Sequence, residues 1–330
     1  MSGYQTDYQA FSAVGSESTY GTDSFGGSHP SAFQAFVSVA PRAVCEVVEY
    51  DLQTPLPVGE RHGLHKSHQE LTCSLPLTGV ASGPAAPFWA PLMRACGMQM
   101  TEDAGTYTFK PVLQNNATDT PSATLIHYLR SIEDTTVKKW INRGLRGNFD
   151  IVLEQGKPAL MNFNMQGMYA EEPEAFSAAP TTPSALSGDL LGLIVQSLTV
   201  TLGAVTYKVS KMNVKSSWEI IKDVGGDPAG GEGSASVVLL QLPKSGARFG
   251  GAMTLGGGAA ELADMLAKST SGAVAELSAT ITDGTTTATL IGKAQIAAYT
   301  AARPRYDATF AFVRDAGEDG EDGAFSLIVS

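Results

Sequence analysis

Cysteine, histidine, tryptophan and basic side chains are all scarce in this chain of 330 residues, and each shortage removes a class of function. The three cysteines, Cys45, Cys73 and Cys96, are odd in number and widely spaced, so they form neither a disulfide framework nor a CxxC metal or redox motif. A reducing assembly compartment is the expectation. Lys and Arg number 22 against 33 Asp and Glu, which leaves a formal net charge of −11. That balance excludes a binder that gains its affinity by neutralising nucleic-acid phosphates. No apolar run approaches the roughly 20 residues that a membrane-spanning helix needs, so no membrane insertion is expected. The opening MSGYQTDYQAFSAVGSES has two acids, no Lys or Arg and no apolar stretch, and it reads as no signal peptide.

Catalytic machinery is missing as well. There is no GxSxG elbow and no HExxH. The run FGGAMTLGGGAAEL leads from a strand into a helix but lacks the GK[ST] ending of a phosphate loop, and its glycine spacing misses GxGxxG. His62, His65 and His68 in HGLHKSH, with Glu60 and Glu70 nearby, have a spacing that would gather imidazoles on a helix. Pro55, Pro57, Gly59 and Gly63 make that segment an exposed loop instead. His127 in TLIHYL reads as a half-buried strand residue. No nucleophile, base and orienting group can be nominated together, so neither an enzyme nor a cofactor is expected.

What is abundant is the grammar of β-structure: 35 glycines among many Thr, Ser and Val. At 43% hydrophobic and 17% charged, the chain can bury a sizeable core. Residues 1–33 form a polar arm with little periodicity. Leu71, Cys73, Leu75 and Leu77 then alternate with polar or turn residues, and Phe149, Ile151 and Leu153 share one side of another run. In PALMNFNMQGMY, Met161, Phe163, Met165 and Tyr169 face a core while Asn162, Asn164 and Gln166 face away. PFWAPLMRACG reads as a helix from Pro87 to a C-cap at Gly97, with Phe88, Leu92 and Ala95 as its stripe.

Residues 170–187 are rich in Pro, Ala and Ser and are the linker candidate. Beyond them LTVTL, VTYKVSKMNVKSSW, SVVLLQL, FGGAMTL, VAELSATIT, TATLIGKAQI, YDATFAFV and AFSLIVS read as strands. GAAELADMLAKST reads as a helix with Leu262, Met265 and Leu266 on one face, and DAGEDGED as a hairpin loop between the last two strands. Both halves thus run strand, strand, long loop, strand, helix, strands, with the helices starting 171 positions apart. The expected architecture is mainly β, two barrel or sandwich units in tandem, each with one flanking helix. The competing reading is a single large sandwich. The boundaries are an arm at 1–33, a first unit at 34–175, a linker at 176–187 and a second unit at 188–330.

Four segments occur in a telling order: ESTYGTD at Glu17–Asp23, LMRACG at Leu92–Gly97, YTFKP at Tyr107–Pro111, and the stretch from Gly144 to Tyr169 with its G-x-x-G-x-F hairpin. Together they resemble the major tail tube proteins of long-tailed, siphovirus-type bacteriophages. The resemblance covers residues 15–175 well, and 186–330 only in the order of elements. The Pro that usually follows YGTD is replaced here by Ser24-Phe25.

The resemblance implies a structural virion protein, assembled in the host cytoplasm. Its rings would stack into a hollow tube that conducts the genome into the host. Its partners would be itself, the tape measure protein, the tail terminator and tail tip proteins, with DNA only in transit. Two units per chain imply a trimeric ring with pseudo-sixfold symmetry; a hexamer with an outer decoration domain is the rival. Asn162, Asn164 and Gln166 are the candidate lumen lining, because a wall that passes DNA should not hold it. The long loop before the third strand of each half is the candidate ring-to-ring contact, with Pro57, Arg61, His62, His65 and Lys66 in the first and Asp227 and Glu232 in the second. Two other function classes remain: a tail terminator or baseplate-hub protein of the same barrel fold, and a secreted β-rich enzyme or adhesin.

Overall fold

The computed structural model describes residues 8–25, 36–50, 61–78, 86–112, 118–131, 137–168, 174–176, 193–223, 237–241, 248–256, 258–282, 287–302, 305–313 and 325–330. Strands dominate. The first half contains β1 (Tyr8–Ser16), β2 (Ser38–Tyr50), β3 (Arg61–Pro76), the short helix α1 (Ala90–Ala95), β4 (Met98–Asp103), β5 (Thr106–Pro111), β6 (Ala123–Ser131), β7 (Val137–Glu154), β8 (Leu160–Gly167) and β9 (Glu174–Phe176). The second half contains β10 (Ser197–Leu202), β11 (Val205–Ser216), β12 (Glu219–Asp223), β13 (Val237–Gln241), β14 (Phe249–Gly256), helix α2 (Ala259–Ser271), β15 (Val274–Thr282), β16 (Thr287–Ala302), β17 (Arg305–Phe312) and β18 (Phe325–Val329).

Six of these strands close into a barrel, in the order β10, β11, β14, β17, β16, β15 and back to β10. Every neighbouring pair is antiparallel. Period-2 alternation sends Val200, Leu202, Tyr207, Leu277, Ile281 and Phe310 inward, all buried. A bulge at Ser210 resets the pattern in β11, so that Val209 and Met212, three apart, are both buried. Without it Lys211 would point into the barrel.

The helix α2 joins β14 to β15. Its backbone starts at Gly258, whose N–H donates to the Glu261 carboxylate, and stops at Gly272, which takes a φ of +63° that a residue with a Cβ adopts at a cost. Met265 is fully buried against the barrel, Leu262 is half-buried, and Leu266 is exposed. Tyr207 donates its hydroxyl proton to Asp264, which also pairs with Lys268. Burial and this carboxylate raise the Tyr207 pKa far above the usual tyrosine range.

The first half does not close on itself. Strands β2, β3, β8 and β7 lie side by side, and the end of β7 pairs with β11 of the barrel. On the other side β18 is inserted between β16 of the barrel and β5, with β4 at the margin. One continuous sheet therefore runs from β2 through the barrel wall to β4. Strands β17 and β18 do not form the hairpin expected from sequence; both add to the same edge of β16 in succession. The segment between them, 314–324, lies outside the described residues, as does most of the expected linker. The two halves share one hydrophobic core. At its junction Phe249 stands 5.2 Å from Phe325, 6.2 Å from Phe149 and 5.3 Å from Trp218, ring centroid to centroid. Each fully buried Phe contributes about 1.5–3 kcal/mol of transfer free energy.

Helix α1 is shorter than the sequence reading, since its regular part begins at Ala90. It is also buried nearly all round: Trp89, Leu92, Met93 and Ala95 are all within 1% of full burial. The Trp89 indole donates to the Thr78 carbonyl at 3.2 Å. Gly97 closes the helix at φ +78°, with the Trp218 ring about to touch any Cβ placed there.

Candidate lining and assembly surfaces

Cross-strand register assembles a polar face on the side of the sheet away from the core. It spans β2, β3, β8, β7, β11, β14 and β17. One row reads Ser38, Ser74, Asn162, Asp150, Lys215, and a second reads Thr72, Asn164, Asn148. Two further rows bring Arg42, Glu70 and Gln166 together at one end, and Glu154, Lys211, Thr254 and Asp307 at the other. Of the three residues expected to line a channel, Asn162 and Asn164 sit in the middle of this face and Gln166 at its Arg42–Glu70 end. Their neighbours Met161, Phe163 and Met165 are buried, as the alternation predicts.

The face is hydrogen-bonded within itself. Ser74 donates to Asn162 at 2.7 Å, and the Asn213 amide donates to Asp150 at 3.2 Å. Asn148 reaches the Trp218 backbone in both directions, donating to its carbonyl at 3.0 Å and accepting from its N–H at 2.7 Å. Two depressions mark the surface. One, of about 360 Å³, is lined by Thr72, Ser74, Asn148, Asp150, Asn162 and Asn164. The other, of about 490 Å³, lies between Glu154, Gln196, Ser210, Lys211 and Thr254.

A second polar face was not anticipated. Further along the same sheet, from β11 to β4, one row runs Lys208, Thr199, Thr280, Thr289, Ile328, Thr108, Thr101 across seven strands. The next row reads Thr201, Ser278, Ile291, Ser326. The signal was present as alternate threonines in SLTVTL and LSATIT, but only strand order shows that they align.

The candidate ring-contact residues divide. Arg61, His62, His65 and Lys66 belong to β3, where they pair with Tyr50, Glu49, Glu46 and Cys45 of β2. The expected loop is therefore a strand, and HGLHKSH is part of a hairpin arm. A spacing of three does not gather side chains on one face of a strand as it does on a helix. Strand β8 pairs with β3 only from Gln69 onward, so the arm continues beyond the sheet as two strands for roughly 25 Å. Pro57, Asp227 and Glu232 lie outside the described residues. Segment 224–236 is flanked by β12 and β13, which pair as a separate two-stranded hairpin. Among the described residues no group of three or more His, Cys, Asp or Glu could hold a metal ion.

The ESTYGTD segment forms a knot. Glu17 is 2% exposed, and its carboxylate accepts hydrogen bonds from Gly21 N–H (2.8 Å), Gly144 N–H (2.7 Å), Thr124 (2.8 Å) and Ser122. Gly21 and Gly144 both have positive φ, and a Cβ on Gly144 would lie 2.7 Å from the Tyr20 ring. The Tyr20 hydroxyl accepts the Val238 N–H at 2.8 Å, and the Arg146 guanidinium lies 5.7 Å from its ring centre. Burial pushes the Tyr20 pKa up to about 12. The knot thereby ties strand β1, absent from the sequence reading, to the first half and to the β12–β13 hairpin.

Buried titratable groups elsewhere suit packing. Cys73 and Cys96 are free and buried, and desolvation raises both thiols, Cys73 to about 12. His127 is 5% exposed, faces Ser12 across β1 and β6 with Oγ to Nδ1 at 2.8 Å, and burial lowers its pKa to about 4. No protein-family model matches the chain, and no curated protein matches it significantly.

Proposed function

We propose that this chain is a structural subunit of a phage tail tube. In that reading it assembles into stacked rings that form the conduit for genome delivery, as the resemblance of residues 15–175 implies. The observation that carries the reading is the seven-strand polar face. It is broad and hydrogen-bonded within itself, and it intersperses Arg42, Lys211 and Lys215 with Glu70, Asp150, Glu154 and Asp307 rather than presenting a basic stripe that would grip DNA. Two features support it. The barrel leaves few open sheet edges of its own, and the β2–β3 arm projects far enough to reach a neighbouring ring. Within the proposal belong the two tandem units, the trimeric ring with pseudo-sixfold symmetry, the tape measure, terminator and tip partners, and the virion location.

Electron microscopy of the purified protein at high concentration tests the reading. Hollow tubes with three or six lobes in cross-section are the expected result. A monodisperse monomer at every concentration, absent from phage particles, overturns it. Isolated single rings that never stack favour a terminator or hub role for the same fold.

A further inference from the structure

The β12–β13 hairpin belongs to the second half by chain order but is fastened to the first half on both of its strands. Just before β12, both backbone polar groups of Trp218 bond to the Asn148 side chain, and the Trp218 indole donates to the Cys96 carbonyl at 2.7 Å. On β13 the Val238 N–H donates to the Tyr20 hydroxyl at 2.8 Å, although the two residues are 218 positions apart. Among the described residues β12 is the one strand that pairs with β13, so this edge donor is satisfied by a side chain instead of a further strand. Ile220 and Leu240, directly opposite each other, pack on the shared core, while Ile221 on the other face is 37% exposed. A two-stranded hairpin is marginal in water by itself, so its position depends on what fastens it.

Tyr20 is in turn placed by its own neighbours. The Glu17 carboxylate gathers the N–H groups of Gly21 and Gly144, and the Tyr20 ring lies against Gly144, where a Cβ would collide with it. We propose that Tyr20 is the positioning residue of an assembly latch: seating of the segment Glu17–Asp23 locks the β12–β13 hairpin onto the first half, and a subunit stacks only with the hairpin locked. The purpose rests on the tail-tube reading, in which Asp227 and Glu232, carried by the chain between these two strands, are the expected ring contacts of the second half. The lock itself is a property of the single subunit. Loss of the Tyr20 bond leaves the Trp218 anchor in place and loosens the β13 side.

The test compares full-length wild type with Tyr20→Phe, which keeps the ring against Gly144 and Arg146 and removes only the hydroxyl. Hydrogen exchange is read at the Val238 amide and, as a reference, along the barrel strand β10. Val238 is expected to exchange about two- to tenfold faster in the variant, the range set by one net hydrogen bond, with β10 unchanged. In electron micrographs at matched concentration Tyr20→Phe is expected to give shorter tubes than wild type. Tyr20→Ala, which also takes the ring away from Arg146 and Gly144, is expected to give none while β10 stays protected. Tyr299→Phe, which removes a hydroxyl from the barrel strand β16, is the control and is expected to match wild type. The inference is overturned if Val238 in Tyr20→Phe exchanges as in wild type, or if both Tyr20 variants form tubes of wild-type length. It is equally overturned if β10 exchanges faster together with Val238, which would make Tyr20 a general stabiliser. If wild type itself forms no tubes, the conduit reading fails, and the exchange comparison decides the lock alone.

Discussion

The two halves of the molecule, expected from sequence to share one order of elements, differ in the structure: three strands precede the helix in the first and five in the second, and only the second closes into a barrel. Residues 197–312 close into a ring of six strands in which each strand has a neighbour on both sides. The first half stays open. It borrows β11 on one side and β18 on the other, and among the described residues its outermost strands β2 and β4 each pair on one edge only. An exposed edge is a template for pairing with another chain. Closure gives the second half a self-sufficient scaffold, while the first half holds the edges and the projecting arm that an assembly would use. Pro41 and the exposed acids Glu102 and Asp103 temper those edges, as natural edge strands commonly are tempered.

The contrast can be broken at the junction. Phe249→Ala empties the aromatic cluster that joins the barrel to Phe149 and Phe325, and should cost about 4 kcal/mol. Because the core is shared, denaturant unfolding is expected to remain a single transition at lower midpoint; two separated transitions would show that the halves are independent. Acid should act next. The unfolded chain takes up a proton at His127 below its ordinary pKa of 6.5, whereas the folded chain resists until about 4. The neutral imidazole therefore contributes stability above pH 6.5 that is lost as pH falls toward 4, by about 3 kcal/mol at most. A His127→Gln variant should lack this part of the pH dependence in denaturation curves.

Smaller effects sharpen the comparison. Glu17→Gln leaves one buried N–H or hydroxyl facing a donor, and should cost about 2 kcal/mol. Proteolysis should then release β1 and the β12–β13 hairpin before the barrel opens; simultaneous loss of all three would contradict the knot. Deleting Pro57–Lys66 removes the part of β3 that, among the described residues, pairs with β2 alone, and is expected to leave the shared core folded, read as an unchanged near-UV circular dichroism spectrum. It should nevertheless abolish long tubes in micrographs, and tubes of normal length from this deletion would remove the arm from assembly.

Strands with one buried face were legible from residue order alone. Leu71, Cys73 and Leu75, then Met161, Phe163 and Met165, alternate in burial as their spacing requires. Helix α2 was legible as GAAELADMLAKST from Gly258 onward, although of its expected face only Met265 is fully buried and Leu266 is exposed. What was hidden depended on partners distant in the chain. The barrel closes through pairings such as β10 with β15, and no local pattern encodes them. The HGLHKSH strand was unreadable because Pro55, Pro57, Gly59 and Gly63 read as turn formers, while its pairing with β2 leaves no trace in local spacing. Asn162 and Asn164 could be picked out as polar, but their charged companions on the same face, Asp150, Lys211 and Lys215, lie on other strands. The Ser210 bulge shows the same limit at a single residue, since counting by twos misplaces everything after it.

Strand β7 is 18 residues long and is held by β6 and β9 near its start and by β8 and β11 near its end. Backbone bonds in such ladders run across the strand. A pull along β7 therefore loads many of them in shear at the same moment, whereas peeling would break them singly. The strand is placed like a tie-rod, and tension applied at its start reaches the barrel through its pairing with β11.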